Sequence, residues 1–318
     1  MMNAHNDPHQ KKPPRILCIG MPVRDLIYQV QEVPKRGSKE NASSFTEIAG
    51  GNALNSGITI NRLGGRVALT GPIGGLPENA NTAIHQQMAA EGIDTGGFIT
   101  MDGIITPISN IMIDPSGERT IVTYRDPKLW TVELPAPDQL LHDIDGVMVE
   151  NRCAEFITDV CVEAHRRGIP VVVDADRTMS LREGLLTVAS HIIFSAEALH
   201  ATAGESDDLS SLRKIAGLTS AFLAVTSGAK GVRWLGSNGE PRHMPAFPVH
   251  TVDTLGAGDA FHGAFALSIA EGQPLEKALR FASATAALKC TRFGGAFASP
   301  QRVEVDALLA SSKAAQVV

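Results

Sequence analysis

The side chain best placed to do chemistry in this chain is Asp259, within the run DTLGAGDAFHGAF (253–265). Gly256, Ala257 and Gly258 fall where a loop should turn into a helix, and Asp259 falls in that helix's first turn. A helix N-terminus offers free N–H groups and a partial positive charge, and small residues let an anion approach the backbone. The pattern therefore predicts a phosphate cradle with a carboxylate beside it. The amides would stabilise charge developing on a transferred phosphoryl group, while the acid takes a proton from the attacking hydroxyl. The plainer role for Asp259 is a first-turn acid matched to the helix dipole, worth roughly 0.3–1 kcal/mol. Phe261, Phe265 and Ile269 recur at i, i+4 and i+8, which turns one face of the helix to a core, and Gly272 is placed to end it.

A second polar cluster lies two hundred residues upstream, in AGGNALNSGITINRLGG (49–65). Gly50, Gly51, Asn52 and Asn55 head a helix expected over 53–63. Amide side chains at a helix start are ordinarily caps, which explains one Asn but not both. Asp25 follows the strand pattern RILCIG (15–20), just past its carboxyl end, where open parallel sheets bind ligands. The alternative for it is an exposed turn carboxylate. TSGAKG (226–231) is either a glycine loop that a ligand approaches closely or a turn into VRWLG.

These residues need a frame. LIYQVQEV (26–33), SSFTEI (43–48), PISNIMID (107–114) and RTIVTYR (119–125) alternate apolar with polar residues and read as half-buried antiparallel strands, the last two joined by a turn at Asp114, Pro115, Ser116 and Gly117. Four such strands need something to cover. RVALTGPIGG (66–75) reads as a strand and NTAIHQQMAAEGI (81–93) as a helix. From 145 the chain alternates DGVMVEN, FITDVCVEAHRRG, PVVVDAD, LREGLLTVA (181–189), HIIFS and AFLAVTSG as strand, helix, strand, helix, strand, strand. That alternation predicts an α/β protein with a doubly wound, mostly parallel sheet, helices on both faces and a small antiparallel β lid. LEKALRFASATAALKC (275–290) is a last long helix, with Leu275, Leu279, Ala282 and Ala286 on one stripe.

Composition narrows the classes. The 318 residues are 43% hydrophobic and 19% charged, enough for one large domain, expected over 15–310. A net charge of −6 offers no electrostatic footprint for nucleic acid or an acidic membrane surface. Residues 1–14 are polar, lack the apolar core of a secretion signal and read as a disordered tail, and no apolar run reaches transmembrane length, so a cytoplasmic protein is expected. Cys18, Cys153, Cys161 and Cys290 form no CxxC pair and read as reduced. The ten histidines show no HExxH or comparable metal spacing.

The string DTxGAGDxF at 253–261 resembles the carboxy-terminal signature of the PfkB (ribokinase-like) carbohydrate kinases. The stretch 49–65 is similar to that family's amino-terminal signature, a GG pair and a polar residue, an Asn three further on, then a helix ending in LG. The resemblance spans about 15 to 305 and implies an ATP-dependent sugar kinase using Mg²⁺. Asp259 would be its base, and the amides of Gly256, Ala257 and Gly258 its anion hole. Asp25, Gly51, Asn52 and Asn55 would meet the sugar, with Asn52 standing where ribokinase-type members have Lys. Thr226, Gly228, Gly231, Lys289 and Thr291 would meet the nucleotide, and TRFGG (291–295) would close over the adenine. The strands at about 26–48 and 105–125 would form a lid that excludes water and pairs with a second copy in a homodimer. The family's NxxE motif, which helps organise magnesium, reads Ser195-Ala196-Glu197-Ala198 here and leaves the metal ligands unassigned. RFASATAALKCTR (280–292) and GAGDAFHGAFAL (256–267) look like the sulfofructose kinases within this family. That likeness implies an anionic sugar end near Lys39, Arg152 and Thr123, with 6-deoxy-6-sulfofructose as substrate. A neutral sugar such as fructose or ribose is the alternative, and a weakly catalytic sugar-sensing relative is another.

Overall fold

A computed structural model describes residues 12–115, 119–181 and 184–312. The chain lays down β1 (Arg15–Ile19), leaves the main sheet for β2 (Val23–Gln29) and β3 (Ser44–Gly50), and returns through α1 (Asn52–Arg62) to β4 (Arg66–Leu76). Helix α2 (Thr82–Ala90) and β5 (Phe98–Ile105) follow, then a second excursion through β6 (Ile108–Ile113) and β7 (Arg119–Tyr124). The run of crossovers is α3 (Pro137–Leu140), β8 (Gly146–Glu150), α4 (Ala154–Arg166), β9 (Val171–Ala175), α5 (Leu185–Val188), β10 (His191–Ser195), α6 (Ala196–Ala203), α7 (Asp208–Ala216) and β11 (Phe222–Thr226). A hairpin of β12 (Val232–Leu235) and β13 (Pro241–Met244) precedes the closing helices α8 (Ala257–Ala270), α9 (Leu275–Cys290) and α10 (Arg302–Ser311).

The main sheet has nine strands in the order β13-β12-β11-β10-β9-β8-β1-β4-β5, parallel from β5 to β11. Its central strands are continuous apolar runs because both faces are covered. In β1, Ile16 and Cys18 join a core with α1, α8 and α9, while Leu17 and Ile19 join the opposite core with α4 and α6. Helix α4 presents Ile157, Val160, Cys161 and Ala164, at i, i+3, i+4 and i+7, to that second core. Each fully buried Leu, Ile or Phe contributes roughly 1.5–3 kcal/mol. The chain runs outward from β1 through β4 to β5 and then crosses to β8 on the other side of β1. That reversal puts a topological switch point, and hence a crevice, at the carboxyl ends of β1 and β8.

The second sheet has four strands in the order β3-β2-β6-β7. The antiparallel expectation holds for β2 with β3 and for β6 with β7, but β2 and β6 pair in parallel. Both leave the same edge of the main sheet, β2 after β1 and β6 after β5, so they set out in the same direction. Strand β2 begins at Val23 and ends at Gln29, so Asp25 lies inside a strand, not in a turn, and the expected run to residue 33 stops short. In register, Asp25, Ser109 and Thr123 share one face. The opposite face carries Phe45, Val122 and Tyr124, all about half exposed.

Other expectations shift. The helix expected over 181–189 shrinks to the single turn α5, in a stretch containing Gly184 and the β-branched Thr187 and Val188. Strand β5, interrupted by Asp102 and Gly103, escaped the sequence reading and forms the edge beside β4. TSGAKG makes a short 3₁₀ turn at Gly228–Lys230 into β12, which pairs antiparallel with β11. The described cysteines are free, three of them buried. Ser116 and Gly117 of the expected turn, and residues 1–11 of the expected tail, lie outside the described residues; the carbonyls of Pro13 and Pro14 accept hydrogen bonds from Arg66.

Candidate active site

Two helix starts meet at the switch point. Helix α8 begins at Gly256, whose φ of 76° is the left-handed conformation glycine adopts freely, and Asp259 occupies its first turn. Helix α1 begins at Gly51, with a φ of 101°, where a Cβ would collide with the Met21 carbonyl. Neither Asn52 nor Asn55 caps α1. Asn55 Nδ2 donates to Asp259 Oδ2 at 2.7 Å, and Asn52 Nδ2 donates to Asp174 Oδ2 at 2.9 Å. The Ser56 hydroxyl donates to the Asp259 carbonyl, seating α1 against α8. Burial pushes the Asp259 carboxyl up to about 7, and the nearby Asp174 carboxylate adds to this, against the opposing pull of Asn55 and His262. Gly258 is exposed, and a Cβ there would meet open space, so the helix N-terminus is open to solvent.

Asp25 is buried, and burial raises its carboxyl to about 6 against a hydrogen bond from Ser109 and the charge of Arg125. Beyond it lies a group that the sequence reading passed over. Glu150 ends β8 fully buried, is raised to about 7 by that burial, and accepts from the Met21 N–H at 3.2 Å. Arg152 lies 3.1 Å from Glu150 and 2.5 Å from Asp176. Asn151 donates to the Arg177 carbonyl, and burial, then the charge of Arg152, lowers the pKa of half-buried Arg125. In this corner Arg125 Nε, Asn151 Oδ1, Arg152 Nε and Asp176 Oδ1 are buried and have no hydrogen-bond partner among the described residues. Arg152 Nε is near enough to Glu150 for charge attraction but is not aligned for a hydrogen bond.

This changes the basis for an anionic substrate. Arg152 was expected to need an external counter-charge, and it already has two carboxylates. Lys39 is exposed in the loop between β2 and β3. Thr123 shares the face of Asp25 and Ser109 but sits exposed on the edge strand β7. A signal for the missed acids was present: Glu150 and Asp174 each terminate an apolar strand run at the sheet's carboxyl edge.

On the expected nucleotide side, Thr226 closes β11 and donates to the Phe194 carbonyl, and Gly228 and Gly231 flank the following turn with positive φ. The Ser227 hydroxyl in that turn is buried without a partner among the described residues. The Lys289 side chain is wholly buried, and Nζ donates to the Asp253 carbonyl at 2.9 Å and to Asp253 Oδ2 at 3.1 Å, so two of its three N–H groups tie α9 to the loop before α8. The Thr291 hydroxyl donates to the Leu288 carbonyl at the end of α9. Glu197 is exposed in the first turn of α6. Among the described residues no group of three or more His, Cys, Asp or Glu is placed to hold a metal ion. No helix among them is long and apolar enough to cross a membrane.

Residues 13–302 match the pfkB family carbohydrate kinases. A ribokinase of Bacillus subtilis is 30% identical over 298 residues, covering 92% of this chain and 99% of its own. A ketohexokinase of Mus musculus is 27% identical over 288 residues, covering 87% and 96%. The fold matches that of Arabidopsis thaliana ribokinase complexed with ribose and ATP, with a TM-score of 0.83, 22% identity and coverage of 95% and 100%. A chain that matches this family's model almost end to end, and a ribokinase at 30% identity over nearly the whole of both chains, belongs to the pfkB family of carbohydrate kinases.

Proposed function

We propose that this sugar kinase transfers the γ-phosphoryl group of ATP to a primary hydroxyl of a neutral sugar, a ketohexose such as fructose first and a pentose such as ribose second. The observation that carries the reading is Asp259, a carboxyl raised to about 7 in the first turn of an open, glycine-started helix. A base with a pKa near neutrality is matched to taking a proton from an alcohol. The hydroxyl proton passes to Asp259, the freed oxygen attacks the γ-phosphorus, the bond from that phosphorus to the β–γ bridging oxygen breaks so that ADP leaves, and the N–H groups of the Gly256–Gly258 turn stabilise the spreading charge. Asp25 and Asn55 would orient the sugar. The unpartnered donors and acceptors around Arg125, Asn151, Arg152 and Asp176 suit hydroxyl groups, which donate and accept at once.

The nucleotide would lie along Thr226, Gly228 and Gly231, where the unpartnered Ser227 hydroxyl and the positive-φ turn fit a polar ligand. With no acidic cage among the described residues, Mg²⁺ would be held through the nucleotide's phosphates with few protein ligands, which this reluctantly dehydrated ion accepts. It supplies charge neutralisation on the phosphates. A homodimer through the small sheet is part of the same proposal, supported by the half-exposed Phe45, Val122 and Tyr124 on its outer face. An acidic sugar is the second reading, favoured by Arg125, which has no carboxylate ion pair among the described residues. A coupled ADP-release assay over a panel of ketohexoses, pentoses and acidic sugars tests the function. Sugar-independent ADP release, or none with any sugar, would refute it.

A further inference from the structure

Strand β7 opens with Arg119, and the register of the small sheet puts it on the same face as Asp25. Arg119 pairs with Ile113, and Thr123 with Ser109, which stands opposite Asp25. Side chains alternate along a strand, so Arg119, Ile121 and Thr123 share that face while Val122 and Tyr124 take the other. The four residues from Arg119 to Thr123 span about 13 Å of extended chain. Arg119 Nη1 donates to the Thr254 hydroxyl at 3.1 Å, across 135 residues of sequence. Thr254 belongs to the loop that enters α8 at Gly256. One end of the small sheet therefore touches the entry to the phosphate cradle.

The contact leaves charge to spare. Asp253, beside Thr254, is already answered by the Lys289 ammonium and by the N–H groups of Leu255, Gly294 and Gly295. Arg119 has no carboxylate ion pair among the described residues, and the Thr254 hydroxyl takes only one of its five N–H donors. Its charge reaches the buried Lys289, whose pKa is lowered by burial first and by Arg119 as well, against the pull of Asp253. In the same turn the Ala257 N–H donates to the Thr254 carbonyl at 3.2 Å, which leaves the Gly256 and Gly258 N–H groups for a ligand. Two amide dipoles are little against the charge spread over the three equatorial oxygens of a transferred phosphoryl group. A surplus cation stands beside an anion hole that needs one.

We propose that Arg119 is a catalytic residue of this kinase, a cation carried by the small sheet to the entry of α8, where its guanidinium donates to the γ-phosphate oxygens of ATP. The inference rests on the reading of that entry as the place of phosphoryl transfer. Arg119 forms no bond to phosphorus and moves no proton. Its N–H groups hold the equatorial oxygens while the bond from the sugar oxygen forms and the bond to the leaving ADP breaks. A planar fork can keep one N–H on Thr254 and turn others to two phosphate oxygens, which an ammonium cannot match. Thr254, accepting from Arg119, keeps its own O–H to give to the same group. One face of one sheet would then serve the sugar at Asp25 and the phosphate at Arg119.

The test is the steady-state kinetics of Arg119→Met, Arg119→Lys and Thr254→Val with the sugar that the wild type turns over best. Arg119 is exposed, so its variants should melt with the wild type, which circular dichroism checks. Arg119→Met should lower kcat about 10²-fold with the sugar KM unaltered. Arg119→Lys restores the charge without the fork and should recover roughly tenfold of that loss. Thr254→Val keeps the guanidinium and removes only its anchor, so kcat should fall by less than about tenfold. Equal losses in Arg119→Met and Thr254→Val, with no recovery in Arg119→Lys, would show that the bond only ties the sheet to the loop. Near-normal kcat in Arg119→Met would make Arg119 a solvated surface charge, and either result overturns the inference. Asp259→Asn separates it from the reading beneath it. If that variant keeps turnover, the entry to α8 is not the transfer site; if it is inactive while Arg119→Met turns over normally, only the present inference fails.

Discussion

Asp253 and Asp259 stand six residues apart at the entry to one helix, and their surroundings move them in opposite directions. Burial alone would raise Asp253, but the Leu255 N–H, the Lys289 ammonium and the N–H groups of Gly294 and Gly295 outweigh it and hold the carboxyl below its ordinary value. Asp259 has a single amide donor on its carboxylate and a second acid nearby, and it is raised. The chemistry of the two side chains is the same. Donors that fully answer the charge make the first a fixed part of the loop, and donors that answer it incompletely leave the second ready to take a proton.

The largest effect should come from breaking the answered charge. Lys289→Met leaves Asp253 buried without its cation, and loss of one partner of a buried pair costs about 3–5 kcal/mol. Thermal or urea unfolding should show it, and Lys289→Met with Asp253→Asn should recover part of the loss; a fully stable single variant would mean the pair is incidental. Next comes the unanswered charge. Asp259→Asn keeps the shape, and turnover should fall by about 10² or more while sugar binding, followed by calorimetry, persists. Near-normal turnover would make Asp259 a helix-dipole residue like any other. Arg152→Ala, which strips two carboxylates of their partner, should raise KM roughly tenfold for every sugar accepted. An effect confined to acidic sugars would instead revive the anionic reading.

The two aspartates should also separate on the pH axis. Asp259 must be ionised to act, so the rate should fall about tenfold for each unit below its pKa of about 7. Asp253 is depressed in the folded state, so its contribution to stability is fully present above its unfolded value and is lost as pH falls through the folded one. Between about pH 5 and 6 the protein should therefore stay folded and be nearly idle, and coincident loss of rate and of the melting temperature would remove the distinction. The smallest effect is expected from Lys39→Ala, a lysine in water rather than in a core, which should change stability by less than about 0.5 kcal/mol and leave KM unaltered.

Much of this was legible in the chain. The central strands are uninterrupted apolar runs that only a doubly covered sheet can use, and the glycine-rich entry to α8 has few other physical readings. Some of the misses share a cause, which is that pairing across the fold leaves little local trace. Nothing near Asp25 says that its strand will lie parallel to one eighty residues on. Arg152 resembled a free cation although Glu150 stands two residues before it, and its other partner, Asp176, is brought near only by the pairing of β8 with β9. Lys289 left a trace that went unread: with Ala278, Ala282 and Thr285 it completes the buried stripe of α9 at i, i+4, i+7 and i+11, where a solvated lysine has no place.

One junction ties the small sheet to the chemistry. Strand β3 ends at Gly50, Gly51 turns the chain, and α1 starts at Asn52, whose amide already grips Asp174. A single residue separates the sheet that shares a face with Asp25 from the helix turn that holds both Asp174 and Asp259. The linkage is a crank with one short arm. Any tilt of β3 reaches Asn52 and Asn55 with almost no chain to absorb it, so the grip on the acid and the position of the small sheet are mechanically one variable.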